Sequence, residues 1–221
     1  MKERKSIRLQ GYDYSSDNLY FVTSCVHNRI CCFGNIVGPG RDPAMHHGGF
    51  ESVRTGRDPS LQNDDPSMSN NDPFLQNCGL LSTTNDNHMI LNEYGTIAEK
   101  QWYWLGKQYP FVVLHAFVVM PNHIHGIIEI NRSGIKSSDP FKIKPLSELI
   151  GAYKTTVSKQ IHLLECRDRS RPVLTFAWQR SFYEHIIHDE KTLETISVYI
   201  NNNPLNWAQD KLYNSSPTNA L

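Results

Sequence analysis

Apolar positions recur along this chain at two spacings, and the alternation between them predicts a mixed fold. Tyr20 to Val26 is rich in β-branched and aromatic residues and reads as a strand. From Asn92 to Gln108, Tyr94, Ile97, Ala98, Trp102 and Leu105 recur at helical spacing behind Asn92 as N-cap. Phe111 to Met120 and Ile124 to Ile130 read as two strands joined by a tight turn at Pro121-Asn122. Leu146, Leu149, Ile150, Tyr153, Val157, Ile161 and Leu164 mark one face of a second long helix. Phe182 to His188 reads as a fourth strand. Asp189 can cap a last helix that runs to about Asn203, where Pro204 stops it. The order β-α-β-β-α-β-α predicts an α+β fold of the split βαβ type, an antiparallel sheet backed by helices.

Residues 38–87 break this pattern. Of these 50 positions, 28 are Asp, Gly, Pro, Ser or Asn, and a short Asp-Pro phrase recurs irregularly. A segment so poor in apolar residues cannot offset its own ordering entropy, and it is expected to be a disordered, low-complexity insert. The predicted organisation is therefore one domain made of residues 1–37 and 88–210, the insert 38–87, and a tail 211–221.

Charge adds one nuance. The 22 basic and 22 acidic side chains balance. The insert holds seven acids and three bases, so the other residues carry 19 bases against 15 acids, a mild surplus that suits an anionic partner. The N-terminus is charged, without the apolar run of a signal peptide, and the most apolar stretch, Phe111 to Met120, is too short to span a bilayer. Five cysteines in no CxxC spacing indicate neither a disulfide framework nor a four-thiolate zinc site. A cytoplasmic protein is expected.

Two patterns carry candidate chemistry. Residues two apart on a strand share a face, so His123 and His125 present two imidazoles side by side, a pair that can share a divalent cation or be incidental. Tyr199 and Asn203 are four apart and neighbours on one helix face. A helix end, with Asn and Pro as stop signals and Tyr199 as a packing residue, accounts for the same letters.

Taken together, these residues resemble a known family. His123-Ile124-His125 behind an apolar strand and Met120-Pro-Asn resembles the His-hydrophobic-His (HUH) motif of the single-tyrosine transposases of small insertion sequences. The run Trp178 to His185, followed by Tyr199-Ile-Asn-Asn-Asn203-Pro204, is similar in particular to the REP-associated tyrosine transposases. The resemblance covers about 170 residues, on both sides of the insert. It implies a ferredoxin-like fold and a metal-dependent endonuclease and strand-transferase that cuts hairpin-bearing single-stranded DNA through a 5′-phosphotyrosine. Tyr199 then matches the nucleophile, His123 and His125 two metal ligands, and Asn203 a third. The ion implied is Mg²⁺ or Mn²⁺, with the two imidazoles tilting the choice towards Mn²⁺. The insert departs from the family pattern, as a tolerated loop or the mark of a decaying copy.

Further candidates are weaker. Lys154, Lys159 and Arg180 are basic enough to touch phosphate, and Trp178, Phe182 and Tyr183 are candidate stacking platforms for bases. Glu184 and His185 are candidate supports of the site. Tyr153 competes with Tyr199 as nucleophile, although its place in the apolar stripe favours packing. Two other readings stay open: a nucleic-acid-binding protein that has lost catalysis, and an unrelated metal-dependent hydrolase using Glu129 or Glu184 beside the histidines. A monomer is expected over a homodimer.

Overall fold

The computed structural model describes residue 9 and residues 11–38, 87–133, 135, 142–167 and 176–213. The expected insert, save its two end residues, and most of the expected tail lie outside the described residues. The chain order is β1 (Asn18–Cys25), β2 (Gly34–Val37), β3 (His88–Leu91), α1 (Glu93–Gln108), β4 (Val112–Met120), β5 (His123–Ile130), α2 (Leu146–Arg167), β6 (Tyr183–Ile187) and α3 (Glu190–Asn201). Each predicted element is present within a few residues of its expected limits. Two helix starts follow from their caps: the Asn92 side chain accepts from Gly95 N–H at 3.0 Å, and Asp189 accepts from Thr192 N–H at 2.8 Å.

Four strands form one sheet in the order β4-β5-β1-β6, with every neighbouring pair antiparallel. β1 connects through α1 to β4 across β5, and β5 connects through α2 to β6 across β1. These interleaved crossovers make the ferredoxin-like split βαβ arrangement.

The faces of the sheet differ. Tyr20, Val22, Ile124, Ile128 and Ile130 point into the larger core, with Ala98, Trp102 and Leu105 of α1 and Leu149, Tyr153 and Val157 of α2. Phe21 and Ile127 point the other way and pack with Ile187 and with Ile200 of α3. α3 therefore lies on the face opposite α1 and α2. The larger core requires glycine at one sheet position: a Cβ on Gly126 would sit 2.3 Å from the Trp102 ring. The missing side chain lets that fully buried indole lie on the sheet, stacked on Phe117 at 4.5 Å.

One feature was not anticipated. β2 and β3 pair in a separate two-stranded ladder, with Val37 opposite His88. Residues 38 and 87, the ends of the expected insert, thus continue from strands already held together. Strands of four residues around Gly34 and His88 carry too little alternation to be read from sequence.

Candidate active site

The two-residue turn at Pro121-Asn122 starts β5 directly on His123. Alternation sends Ile124 into the larger core and puts His123 and His125 on the α3 face, where both are buried. Their Nε2 atoms meet at 3.0 Å. Each imidazole is held from behind. His123 Nδ1 lies 2.7 Å from Asn122 Oδ1, and His125 Nδ1 lies 2.7 Å from Thr23 Oγ1, its neighbour on β1. Burial drives both imidazoles towards the neutral form, His125 to about 3 and His123 well below its usual value, with His125 and then Arg29 adding to the effect on His123. Neutral imidazoles keep lone pairs for a cation.

α3 delivers the third group. Its apolar side docks Ile200 and Ile196 on Phe21 and Ile127, which turns Tyr199 towards the histidines. The Tyr199 hydroxyl stands 3.4 Å from His125 Nε2, and the ring packs 5.4 Å from that imidazole and 6.3 Å from Phe21. Tyr199 remains half-exposed. Its phenol is raised above the usual value, first by partial burial and then by the charge of Asp210, while a hydrogen bond from Asn203 acts the other way. Asn203 is buried just past the helix end, and its Oδ1 has no hydrogen-bond partner among the described residues.

A fourth group was missed in the sequence. After α3 the chain makes a 3-10 turn at Trp207–Gln209 that lays the Trp207 ring 5.9 Å from His123. The next residue, Asp210, places Oδ2 3.9 Å from His123 Nε2. One ligand atom each from His123, His125 and Asp210 lies within 4.8 Å of the others. No spacing rule links an aspartate in a C-terminal turn to a histidine pair on a mid-chain strand.

The remaining candidates separate by face. Tyr183 pairs with Thr23 and His185 with Phe21, so both stand on the α3 face; both are exposed, and Tyr183 packs 6.3 Å from Phe21. Glu184 pairs with Val22 and points to the opposite side, where it is buried. Trp178 and Phe182 pack against the larger core. Between them lies Lys154, whose ammonium donates to the carbonyls of Gln179 at 2.9 Å and Ser181 at 3.0 Å. Burial lowers it to about 8. That side chain fastens the strand entering β6. Lys159 and Arg180 are exposed.

Tyr153 is fully buried, donates to the Ala98 carbonyl at 3.1 Å, and lies across the sheet from the histidines. Glu129 shares the histidine face but is engaged by His115 at 2.8 Å and by Asn131 at 3.0 Å. Asp210, and neither Glu129 nor Glu184, is the carboxylate that the fold brings to the pair.

Known proteins resemble this chain in sequence. The IS200-like transposase family matches residues 105–203, a span that contains His123, His125, Tyr199 and Asn203. An uncharacterized protein of Haemophilus influenzae is 30% identical over 222 residues, covering 95% of this chain and 93% of that one. A second protein of that organism, provisionally named a REP-associated tyrosine transposase, is 31% identical over 103 residues, 45% of this chain and 52% of its own. Among solved structures, a REP-associated tyrosine transposase bound to a REP hairpin is 14% identical, with a TM-score of 0.44 over 92% of this chain and 76% of that one. With the histidine pair on its strand and the tyrosine on its helix inside the matched span, this chain carries an IS200-like transposase domain over residues 105–203.

Proposed function

We propose that this chain cuts and rejoins single-stranded, hairpin-bearing DNA, with Tyr199 as the nucleophile and His123, His125, Asp210 and Asn203 around a divalent cation. The observation that carries the reading is the 3.4 Å approach of the Tyr199 hydroxyl to His125 Nε2, inside the cluster formed with His123 and Asp210.

The donor set fits such an ion. Two neutral imidazoles and a carboxylate converge, and the Asn203 side-chain oxygen is buried without a partner among the described residues, a cost that a ligand would remove. A mixed nitrogen and oxygen set suits Mn²⁺ or Mg²⁺ more than a thiolate-seeking metal. Bound there, a divalent ion would neutralise the scissile phosphate and polarise its oxygens.

The chain's own residues supply the rest. The Tyr199 oxygen attacks phosphorus and loses its proton, the phosphorus–O3′ bond breaks, and the leaving 3′ oxygen is protonated. A phosphotyrosine joins the protein to the 5′ end, and a free 3′ hydroxyl can reverse the step on another strand. A phenol raised above its usual value makes a poor nucleophile until the phosphate's charge is offset. The hydrogen bond from Asn203 stabilises the phenolate as it forms.

Tyr199 reaches the histidines of its own chain, which supports a monomer as the competent unit. Tyr183 stands exposed on the same face and is the aromatic positioned to stack a base of the bound strand. The hairpin preference rests on the likeness to REP-associated relatives. No helix among the described residues is long and apolar enough to cross a membrane.

The test is incubation of hairpin oligonucleotides with Mn²⁺ followed by a denaturing gel. A protein–DNA adduct is expected with the wild-type chain and with Tyr153→Phe, and none with Tyr199→Phe, which keeps its DNA binding. An adduct that survives Tyr199→Phe refutes the assignment. Cleavage by the wild type without any adduct points to the hydrolase instead.

A further inference from the structure

Asn122 fills the turn between β4 and β5, is fully buried, and meets the cation cluster from behind, at the Nδ1 side of His123. Its amide nitrogen donates to two backbone carbonyls, Arg29 at 3.2 Å and Leu212 at 2.9 Å. Turning the amide over would set its oxygen against both carbonyl oxygens. The orientation is therefore fixed by the protein, and Oδ1 faces His123 Nδ1 at 2.7 Å. An amide oxygen only accepts, so Nδ1 must hold the imidazole proton. The Nε2 lone pair is then left bare, aimed at His125 and Asp210.

His125 is held differently. Its Nδ1 meets the Thr23 hydroxyl, which can donate or accept, so this contact permits either tautomer. The 3.0 Å between the two Nε2 atoms then has a simple account in the metal-free chain: His125 Nε2–H donates to the bare Nε2 of His123. A bound cation would take the His125 Nε2 lone pair in place of that proton, which would then sit on Nδ1 and donate a hydrogen bond to the Thr23 hydroxyl. One imidazole is locked and the other adjusts.

We propose that Asn122 is a positioning residue that sets the proton of His123 on Nδ1 and so keeps its Nε2 ready for a cation. Its amide is itself held from the C-terminal side by the Leu212 carbonyl, and the Leu212 N–H donates to the Asp210 carboxylate at 2.6 Å. The segment after α3 therefore contributes Asp210 to the site and also holds the residue that orients His123. Hydrogen bonds behind metal-binding histidines commonly fix the tautomer and are worth ten- to hundredfold in affinity. The inference rests on the metal-site reading above for its purpose, but its central claim concerns the metal-free protein.

The test is a long-range ¹H–¹⁵N correlation spectrum of the histidine rings in metal-free ¹⁵N-labelled protein, with Mn²⁺ affinity measured alongside by electron paramagnetic resonance. In the wild type, His123 is expected as the Nδ1–H tautomer. Asn122→Leu removes the acceptor and should move the proton to Nε2 or give a mixture, with Mn²⁺ affinity falling tenfold or more. Asn122→Asp keeps an acceptor and should keep the Nδ1–H tautomer, although it gives up both carbonyl contacts. An Nε2–H tautomer at His123 in the wild type overturns the proposal, even if Asn122→Leu fails to fold. So does a folded Asn122→Leu with unchanged tautomer and affinity. A wild type that shows the expected tautomer yet binds no Mn²⁺ refutes the metal reading and leaves the control of His123 by Asn122 standing.

Discussion

Replacing Gly126 with alanine tests whether the site strand is held by close contact with the larger core. The added Cβ would lie 2.3 and 2.6 Å from two atoms of the Trp102 ring and 3.0 Å from Phe117. Carbon atoms rest comfortably at about 3.5–4.0 Å, so the indole must retreat by more than 1 Å. It has little room: Trp102 is fully buried, stacked on Phe117 and edge-on to Tyr153 at 5.5 Å. Overpacking of a closed core costs about 1–3 kcal/mol, and a boxed-in indole belongs at the upper end. With a urea dependence of about 2 kcal/mol/M, a loss of about 3 kcal/mol lowers the unfolding midpoint by about 1.5 M. Gly151 is the matched control, because it lies within α2, is exposed, and has nothing within 4 Å of the point where a Cβ would sit. Gly151→Ala should stabilise by about 0.5–1 kcal/mol through helix propensity. Urea titration followed by circular dichroism reads both. A Gly126→Ala midpoint within about 0.3 M of the wild type would refute the packing argument.

Asp210→Asn removes the carboxylate charge while keeping the shape, and Mn²⁺ affinity measured by isothermal titration should fall at least tenfold; unchanged affinity would exclude Asp210 as a ligand. Acid should destabilise the metal-free chain. The folded-state value of His125 is depressed to about 3, so from the unfolded value of 6.5 downwards the unfolded chain binds a proton that the native state does not, and stability falls as pH falls. The loss is about 1.4 kcal/mol per pH unit for this group, and His125→Gln should flatten the slope of urea midpoints between pH 6.5 and 4.5. Deleting residues 40–86 should leave a folded domain with its Mn²⁺ affinity intact, because Val37 and His88 are already paired across an antiparallel ladder. Loss of the cooperative thermal transition would show that the deleted stretch supports the domain.

Much of this molecule is legible in its letters. Helical spacing over 93–108 and 146–167, and the side-chain caps Asn92 and Asp189, are local properties, so they survive whatever the chain does elsewhere. The shared face of His123 and His125 follows from the two-residue period of a strand, whereas Asn203, expected on one helix face with Tyr199, lies just beyond the end of α3. Tertiary structure alone decided which face of the sheet α3 covers, and hence that Tyr199 and not Tyr153 meets the histidines. It also separated Tyr183 from Trp178 and Phe182, aromatics close in sequence, and engaged Lys154 with two carbonyls. Asp210 came to the site, and the Asn122 amide took its orientation, through contacts between segments far apart in the chain. Periodicity records which side of an element is buried, because burial acts on each element separately. It holds no record of what a distant segment lays against that side, because that contact exists only once the sheet order and the packing of α3 bring the two together.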